Sequence, residues 1–504
     1  MGTEIELKLA TSKRGLQQAM SLPWLKKLAS ERSRKQELTS VYFDTDDFVL
    51  REHGVSLRVR KAGAQRLQTI KANSGALIAR EEWETEIDRD EPVLELARNT
   101  ALAPLLTDKV TKRLKPLFET RVERVVLPLH IGDSDVELAL DRGCVATADA
   151  KLDLAEIEIE LKHGDRGDIA RLAKRLANAV PVTLSVRAKA ELGYALLDGT
   201  LNAAAYAEPV IMARQVTVGD AFTAVGLACL RQIAANTGAV RNGDPEGIHQ
   251  MRVGLRRMRA ALSLFKDLLH DGEVTGLKQE LKWLTEQLGP ARDFDVFVSE
   301  RLTPYRAKHP DWQELETLQH DLEKARSAGF AAAQAAAESE RLRGLLLDGA
   351  LWLVDGGWRE DSDALTQALR ERPARAFARD ELTRRVRKIG KRARKLEGLD
   401  WRQRHKLRIA VKKVRYGREF FAALRLDTRK SGRKLDRALQ LLQSELGALN
   451  DMRVHLDRAH TFSRAGTAAR KAFAIGCLIG CEETAASNLL TNAIEAGKRL
   501  RKAT

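Results

Sequence analysis

The chain opens on strict alternation. Glu4-Ile5-Glu6-Leu7-Lys8-Leu9 puts Glu4, Glu6 and Lys8 on one face of a strand and Ile5 and Leu7 on the other. The same period of two returns with basic rows in Val55-Ser56-Leu57-Arg58-Val59-Arg60 and Leu67-Gln68-Thr69-Ile70-Lys71. It returns with carboxylate rows at 80–87, in Glu137-Leu138-Ala139-Leu140-Asp141 and in Glu156-Ile157-Glu158-Ile159-Glu160-Leu161. With 39–45 and 118–127 the pattern predicts about eight strands, a number that closes an antiparallel barrel. From about residue 215 the period changes to that of helices rich in Ala, Leu and Arg, including the Ala-rich run near 331–337. The expectation is an α+β multidomain chain: an antiparallel β tunnel with covering helices over 1–200, a linker over 201–214 and an all-α domain over 215–504. The linker holds Ala203-Ala204-Ala205 and is closed by Pro209.

Length agrees, since 504 residues exceed what one hydrophobic core organises. A composition of 44% hydrophobic and 31% charged residues with 34 Gly and 12 Pro excludes collagen-like and bulk-disordered chains. Cys144, Cys229, Cys477 and Cys481 are too few and too scattered for a disulfide framework, and Cys477 and Cys481, with no companion His or Cys nearby, read as packed small residues. The opening has no basic segment followed by an apolar one, and no run of 18 uninterrupted apolar residues occurs, so a cytoplasmic location without membrane spans is expected.

Charge divides the chain. Residues 1–200 hold 32 Lys+Arg against 32 Asp+Glu, so the net +16 falls on the remainder. Within it, 371–440 has 25 basic and 8 acidic residues, which predicts attraction to a polyanion. His249, Arg252, Arg256 and Arg259 stand at offsets 0, 3, 7 and 10, and His405, Arg408, Lys412 and Arg415 repeat those offsets. On a helix they lie within an arc of about 80°. Leu288-Gly289-Pro290-Ala291-Arg292-Asp293 follows the first block and Leu446-Gly447-Ala448-Leu449-Asn450-Asp451 the second, so a helical unit is duplicated. Four like charges on one face repel unless an anion binds them or acids such as Asp293 and Asp451 neutralise them. Neither histidine has the carboxylate or thiolate company of a metal site. Lys413, Lys388, Lys391 and Arg394 flank the second block as secondary candidates.

In the first domain any one charged row reads as the solvated face of a sheet. As a set they read differently. The row Glu156, Glu158, Glu160 repels itself unless cations sit against it, and basic rows lie on other strands. A barrel with apolar residues outward and both signs inward suits a metal-bound polyanion, with cations on phosphates and carboxylates on Mg²⁺ or Mn²⁺.

Glu4-x-Glu6-x-Lys8, Tyr42-Phe43-Asp44-Thr45, Leu57-Arg58-Val59-Arg60, Thr69-Ile70-Lys71 and Leu140-Asp141-Arg142-Gly143, in this order, resemble the CYTH superfamily of triphosphate tunnel metalloenzymes over about 1–200. The resemblance implies an eight-stranded tunnel that binds a triphosphate with divalent metal, in enzymes acting on inorganic triphosphate or thiamine triphosphate or, in one branch, cyclising ATP. Carried over by position, it implies that Lys8, Arg58, Arg60, Lys71, Arg124 and Lys189 contact phosphate, with Arg121 in reserve for Arg124. Glu4, Glu6, Asp141, Glu156, Glu158 and Glu160 form the implied metal set, with Glu82 and Glu137 as metal ligands or partners of the basic residues. Lys8, Tyr42 and Glu158 are the implied catalytic residues, Lys8 and Tyr42 as a pair aiding proton transfer or the leaving group. Tyr42 reads equally as a packed aromatic at a strand end. The motif's late arginine is Leu192 here, a departure that removes one phosphate or structural contact.

The paired His-x-x-Arg blocks and their Leu-Gly-x-x-x-Asp followers resemble the CHAD domain over about 215–500. That resemblance implies two pseudo-symmetric four-helix bundles whose basic groove binds inorganic polyphosphate through His249, Arg252, Arg256, Arg259, His405, Arg408, Lys412 and Arg415. The expected function is metal-dependent hydrolysis of inorganic triphosphate to diphosphate and phosphate, joined to polyphosphate binding. The alternatives are a non-catalytic polyphosphate binder and a thiamine or nucleoside triphosphatase. Nucleic acid is a weaker partner, because aromatics total only 5% and stacking platforms are scarce.

Overall fold

The computed structural model of the chain describes residues 2–72, 79–360, 363–464 and 469–503. It divides into two compact units, one of Met1–Tyr206, Leu230–Gly238 and Ser339–Gly357, the other of Ala207–Cys229, Ala239–Glu338 and Trp358–Thr504.

In the N-terminal unit all the alternating segments are strands, and most run past the segment that revealed them. They are β1 (Gly2–Ala10), β2 (Arg34–Asp44), β3 (Val55–Ala62), β4 (Gln65–Ala72), β5 (Ala79–Ile87), β6 (Lys115–Ile131), β7 (Ser134–Ala146) and β8 (Lys151–His163). They pair antiparallel in the order β5-β4-β3-β2-β6-β7-β8-β1, and a further β1–β5 pairing closes the eight into a barrel. Among the described residues each of the eight strands is paired on both sides. A two-residue strand, Thr183–Leu184, adds to β1.

Register carries the charge pattern across strands. Leu7 and Leu9 of β1 stand beside Ile159 and Ile157 of β8, which stand beside Leu138 and Leu140 of β7. All six are at most 3% exposed, because the helices Lys13–Ser21 and Arg166–Ala179 cover this outer face. The opposite parity faces the barrel interior: Lys8 pairs with Glu158, Glu6 with Glu160, Asp141 with Glu156 and Arg124 with Asp141. Alternation thus sorts apolar residues outward and charges inward. Helix Glu340–Asp355 also packs on Arg166–Ala179, where Lys174 Nζ lies 3.4 Å from Asp348.

The second unit is helical. Its largest segments include Pro245–Leu264, Glu273–Val296, Gln313–Glu338, Ala374–Ala393, Trp401–Phe420, Arg429–Arg464 and Ala469–Ala503. The last four form a bundle around Val386, Ile389, Leu407, Val411, Leu439 and Leu500. Asp244 and Asp400 cap the two basic helices, each accepting a backbone N–H of the first turn. Cys144 and Cys229 are buried free thiols and Cys477 a half-buried one; the Cys481 side chain lies outside the described residues. Among the described residues one helical stretch, Val218–Arg241, is long and apolar enough to cross a membrane by length and composition; Asp220 and Arg231 interrupt it, and 61% of its apolar window is buried in the protein.

Candidate active site and basic helix pair

Strand register converges β1, β6, β7 and β8 on a buried charged cluster, and helix Lys189–Leu197 contributes its first residue to it. Lys189 Nζ lies 2.9 Å from Asp141 Oδ2, 2.9 Å from Glu156 Oε2 and 2.7 Å from Glu158 Oε1. Arg124 donates from Nε and Nη2 to the two oxygens of Asp141, 2.7 Å each, and from Nη2 to Glu158 at 2.5 Å. Lys8 lies 3.1 Å from Glu6 and 3.2 Å from Glu158. Burial opposes ionisation of Glu158, yet Lys189, Lys8 and Arg124 hold its carboxyl well below the usual range; Asp141 is lowered likewise. Burial also opposes the charge on Lys189, and Glu156, Glu158 and Asp141 override it, so its pKa is raised well above the usual lysine value.

The opposite wall is richer in cations. On β3, Arg58 Nη2 is 3.6 Å from Glu82, while its Nε is buried without a hydrogen-bond partner. Arg60 donates Nε to Ser40 Oγ at 3.3 Å, and no ion pair of Arg60 occurs among the described residues. Burial, followed by the charges of Arg58 and Arg124, pushes Arg60 down to about 10. Lys71 of β4 is 2.6 Å from Glu82, which places Glu82 with the basic residues. Arg121 points away from the interior, 69% exposed and paired with Glu119, as its parity relative to Arg124 requires.

Three of the six residues in the implied metal set come together. Asp141, Glu156 and Glu158 each offer an oxygen within 4.8 Å of the others, a hard donor set that fits a divalent cation such as Mg²⁺ or Mn²⁺. Glu6 and Glu160 face each other across β1 and β8 beside Lys8 and Lys162 and lie outside that group; the Glu4 side chain is outside the described residues. Lys189 sits among the carboxylates rather than with Arg58, Arg60 and Lys71 of the opposite wall.

Tyr42 is both packed and polar. It is 3% exposed and stacks on Phe118 at 4.7 Å between ring centroids. Burial raises its pKa, but the charge and hydrogen bond of Arg58 and the charges of Arg60 and Lys189 bring it below the ordinary tyrosine value. Across the β2–β3 pair it stands opposite Arg58, whereas Lys8 turns to Glu6 and Glu158. The Lys8–Tyr42 pair is not formed.

Sequence reasoning gave no role to Asp44, and its signal was its place in Tyr42-Phe43-Asp44-Thr45. Fully buried, Asp44 accepts the N–H groups of Thr45, Leu50 and Arg51 and, at 2.8 Å, the Tyr194 hydroxyl. It thereby locks the end of β2 to the helix that carries Lys189. Leu192, where the arginine was expected, is partly buried against Leu38, Val122 and Leu154. Gly193 is required by close approach, because a Cβ there would lie 2.1 Å from the Phe118 ring.

In the helical unit the two basic stripes meet. Pro245–Leu264 packs on Trp401–Phe420, and all eight stripe residues are half-buried. The duplicated blocks make the same contact in each copy: Arg252 Nη2 is 3.5 Å from Asp293, and Arg408 Nη2 is 3.6 Å from Asp451. His405 Nδ1 hydrogen-bonds Asn450, while the equivalent His249 is lowered by burial and by Arg292 and Arg256. Arg256 Nε and Arg408 Nε are buried without hydrogen-bond partners. Burial, then Arg408 and Arg256, brings Lys412 down to about 8. Lys413 instead donates to Ser263 at 3.1 Å, and Lys388, Lys391 and Arg394 are exposed. Arg257, a residue the offsets passed over, is 1% exposed and lies 3.1 Å from Glu419.

Residues 2–191 match the family model of the CYTH domain, and residues 224–460 match that of the CHAD domain. The chain is a CYTH domain followed by a CHAD domain. The inorganic triphosphatase of Haemophilus influenzae is 29% identical over 198 residues, 38% of this chain and 54% of that protein, so the match spans about half the relative's length. Among solved structures, the CHAD domain from the plant Ricinus communis is 29% identical, covering 59% of this chain and 96% of that one, with a TM-score of 0.49. HpAC1 from Hippeastrum, a proposed adenylyl cyclase with a dominant triphosphatase activity, is 20% identical, covering 39% and 97%, with a TM-score of 0.30. The CYTH part of the chain is thus homologous to an inorganic triphosphatase.

Proposed function

We propose that the CYTH domain hydrolyses inorganic triphosphate to diphosphate and phosphate with a divalent metal, and that the CHAD domain binds inorganic polyphosphate. The observation that carries the first part is the imbalance of the barrel interior. One wall ends in a carboxylate triad suited to a hard cation, while the other buries Arg58 and Arg60 with an unused donor and too little negative charge. A short, highly charged polyanion complements both walls. The name of the Haemophilus relative supports inorganic triphosphate as the substrate.

Asp141, Glu156 and Glu158 would hold Mg²⁺ or Mn²⁺, which when bound polarises phosphate oxygens and lowers the pKa of a coordinated water. The chain's own groups bind and orient. Arg58, Arg60 and Lys71 grip phosphate oxygens, Arg forks doing so in a fixed plane. Arg124 and Lys189 keep the carboxylates ionised and apart, and Lys8, beside Glu158, meets the charge that develops on the departing oxygen. Tyr42, fixed between Phe118 and Arg58, orients a phosphate oxygen through its hydroxyl.

For the CHAD domain the support is the pair of facing cationic stripes with buried, unused Arg256 and Arg408 donors. A polyphosphate held there is kept near the tunnel by the covalent link between the domains.

The test is phosphate release from inorganic triphosphate, thiamine triphosphate, ATP and long polyphosphate in parallel, with and without Mg²⁺ or Mn²⁺. Metal-dependent preference for inorganic triphosphate is expected. Binding without turnover on any substrate would instead establish a two-site polyanion binder, a reading favoured by the internal cations that already saturate the triad. Competition between polyphosphate and DNA at fixed salt tests the CHAD assignment.

A further inference from the structure

Helix Lys189–Leu197 begins on the lysine that the three carboxylates surround, but its N-cap residue, Ala188, has no side-chain oxygen to hold the first turn. Glu191 holds it instead: its Oε2 accepts the Ala188 N–H at 2.7 Å. The other oxygen, Oε1, accepts from Arg231 Nη2 at 2.6 Å. Arg231 belongs to the segment Leu230–Gly238 of the N-terminal unit, and its side chain is only 13% exposed. Asn236 ties that segment down. Fully buried, it accepts the Ala205 N–H at 2.9 Å and donates to the Ala205 carbonyl at 2.8 Å.

This chain of contacts has an electrostatic as well as a geometric effect. Glu191 is two residues from Lys189, and a mobile carboxylate there would compete with Glu156 and Glu158 for the ammonium. A guanidinium on Oε1 neutralises Glu191 and keeps it on the cap, so the first turn, and Lys189 with it, stays aimed into the triad. We propose that Arg231 is a positioning residue of the tunnel site, acting through Glu191 and the Ala188 amide to hold Lys189 among Asp141, Glu156 and Glu158. The inference rests on reading that cluster as the triphosphate site. Residue 231 lies within the CHAD match, so the tunnel lysine is set by a residue outside the CYTH match.

The test uses the full chain and two readouts: calorimetric binding of inorganic triphosphate in EDTA, and Mn²⁺ titration of triphosphate hydrolysis. Arg231→Ala should weaken metal-free binding about fivefold and raise the Mn²⁺ concentration for half-activation, an effect in the range of residues sharing one hydrogen-bonded network. Arg231→Lys should recover most of the loss, because the charge returns. Arg231→Ala combined with Glu191→Ala should be no worse than the more damaging single change. Wild-type binding by Arg231→Ala, or additive effects in the double variant, overturns the proposal. If Arg231→Ala does not fold, Glu191→Gln, which keeps the volume and removes the ion pair, carries the test: weakened binding supports the proposal and unchanged binding overturns it. Lys189→Met separates the two readings. If that variant itself binds and turns over triphosphate as wild type does, the assignment of the cluster fails, and the Arg231 link fails with it for a different reason.

Discussion

Lys189 Nζ lies 2.7 Å from Glu158 Oε1, so an ammonium from a helix start and a carboxylate from the middle of a strand, 31 residues apart, share the buried centre of the barrel. The same Glu158 meets Lys8 and Arg124, which makes it the anion on which three cations depend. Without it the three cations keep only Glu6, Asp141 and Glu156 as partners among the described residues, so the buried cluster gains excess positive charge.

Replacing Glu158 by Gln removes one oxygen donor from the triad and the common partner of Lys8, Lys189 and Arg124. Metal-dependent turnover should fall at least about 100-fold, as for loss of a principal electrostatic element. Steady-state phosphate release at saturating Mg²⁺ or Mn²⁺ checks this. Near-normal turnover would take Glu158 out of the site.

The depressed pKa values of Glu158 and Asp141 fix the sign of a stability change with acid. A carboxyl lowered in the folded state contributes stability that is fully present above its unfolded value, 4.5 for Glu158 and 3.8 for Asp141, and lost as pH falls through the folded value. Melting temperatures between pH 7 and pH 3 should therefore drop more steeply in the wild type than in Glu158→Gln. Parallel curves would contradict the assignment of the stabilising charges.

Lys412 moves the other way. Burial and the neighbouring Arg408 and Arg256 lower it from 10.5 to about 8. Below about pH 8 it is charged in both states at a cost to the fold, and stability rises as pH increases from the folded to the unfolded value. Its charge, the part an anion would use, is lost over the same rise. Polyphosphate affinity should fall from pH 7 to pH 9 at constant ionic strength, and Lys412→Arg should flatten that fall because a guanidinium stays charged. An equal pH dependence in both proteins would exclude Lys412 as its source.

Gly193→Ala puts a methyl 2.1 Å from the Phe118 ring, which stacks on Tyr42. Overpacking at such a contact costs about 1–3 kcal/mol. Thermal unfolding of the variant should show that loss, with weaker triphosphate binding because Tyr42 and Lys189 are displaced together. An unchanged melting temperature would mean that Phe118 yields freely.

Much of the barrel was legible because alternation is a local property. A residue's parity tells which face it takes, and every alternating segment became a strand. The duplicated stripes were legible for a similar reason, since offsets of 3, 7 and 10 select one helix face. Roles inside the barrel were not, because parity says inward without saying which inward residues meet. Lys189 and Lys71 have the same charge, yet one sits among three carboxylates and the other against Glu82. Tyr42 meets Arg58 rather than Lys8 because the β2–β3 register sets it opposite Arg58.

By itself the sequence determined two domains of different periodicity, the sorting of apolar and charged positions onto opposite faces, and a repeated basic helix, all consequences of local stereochemistry and composition. The tertiary structure decided the partners. Barrel closure and strand register bring Asp141, Glu156, Glu158 and Lys189 within hydrogen-bonding reach, and Arg231 comes to Glu191 from 40 residues away. Electrostatic and hydrogen-bond energies depend on distances of a few ångströms between side chains remote in the chain, and only the folded backbone sets those distances.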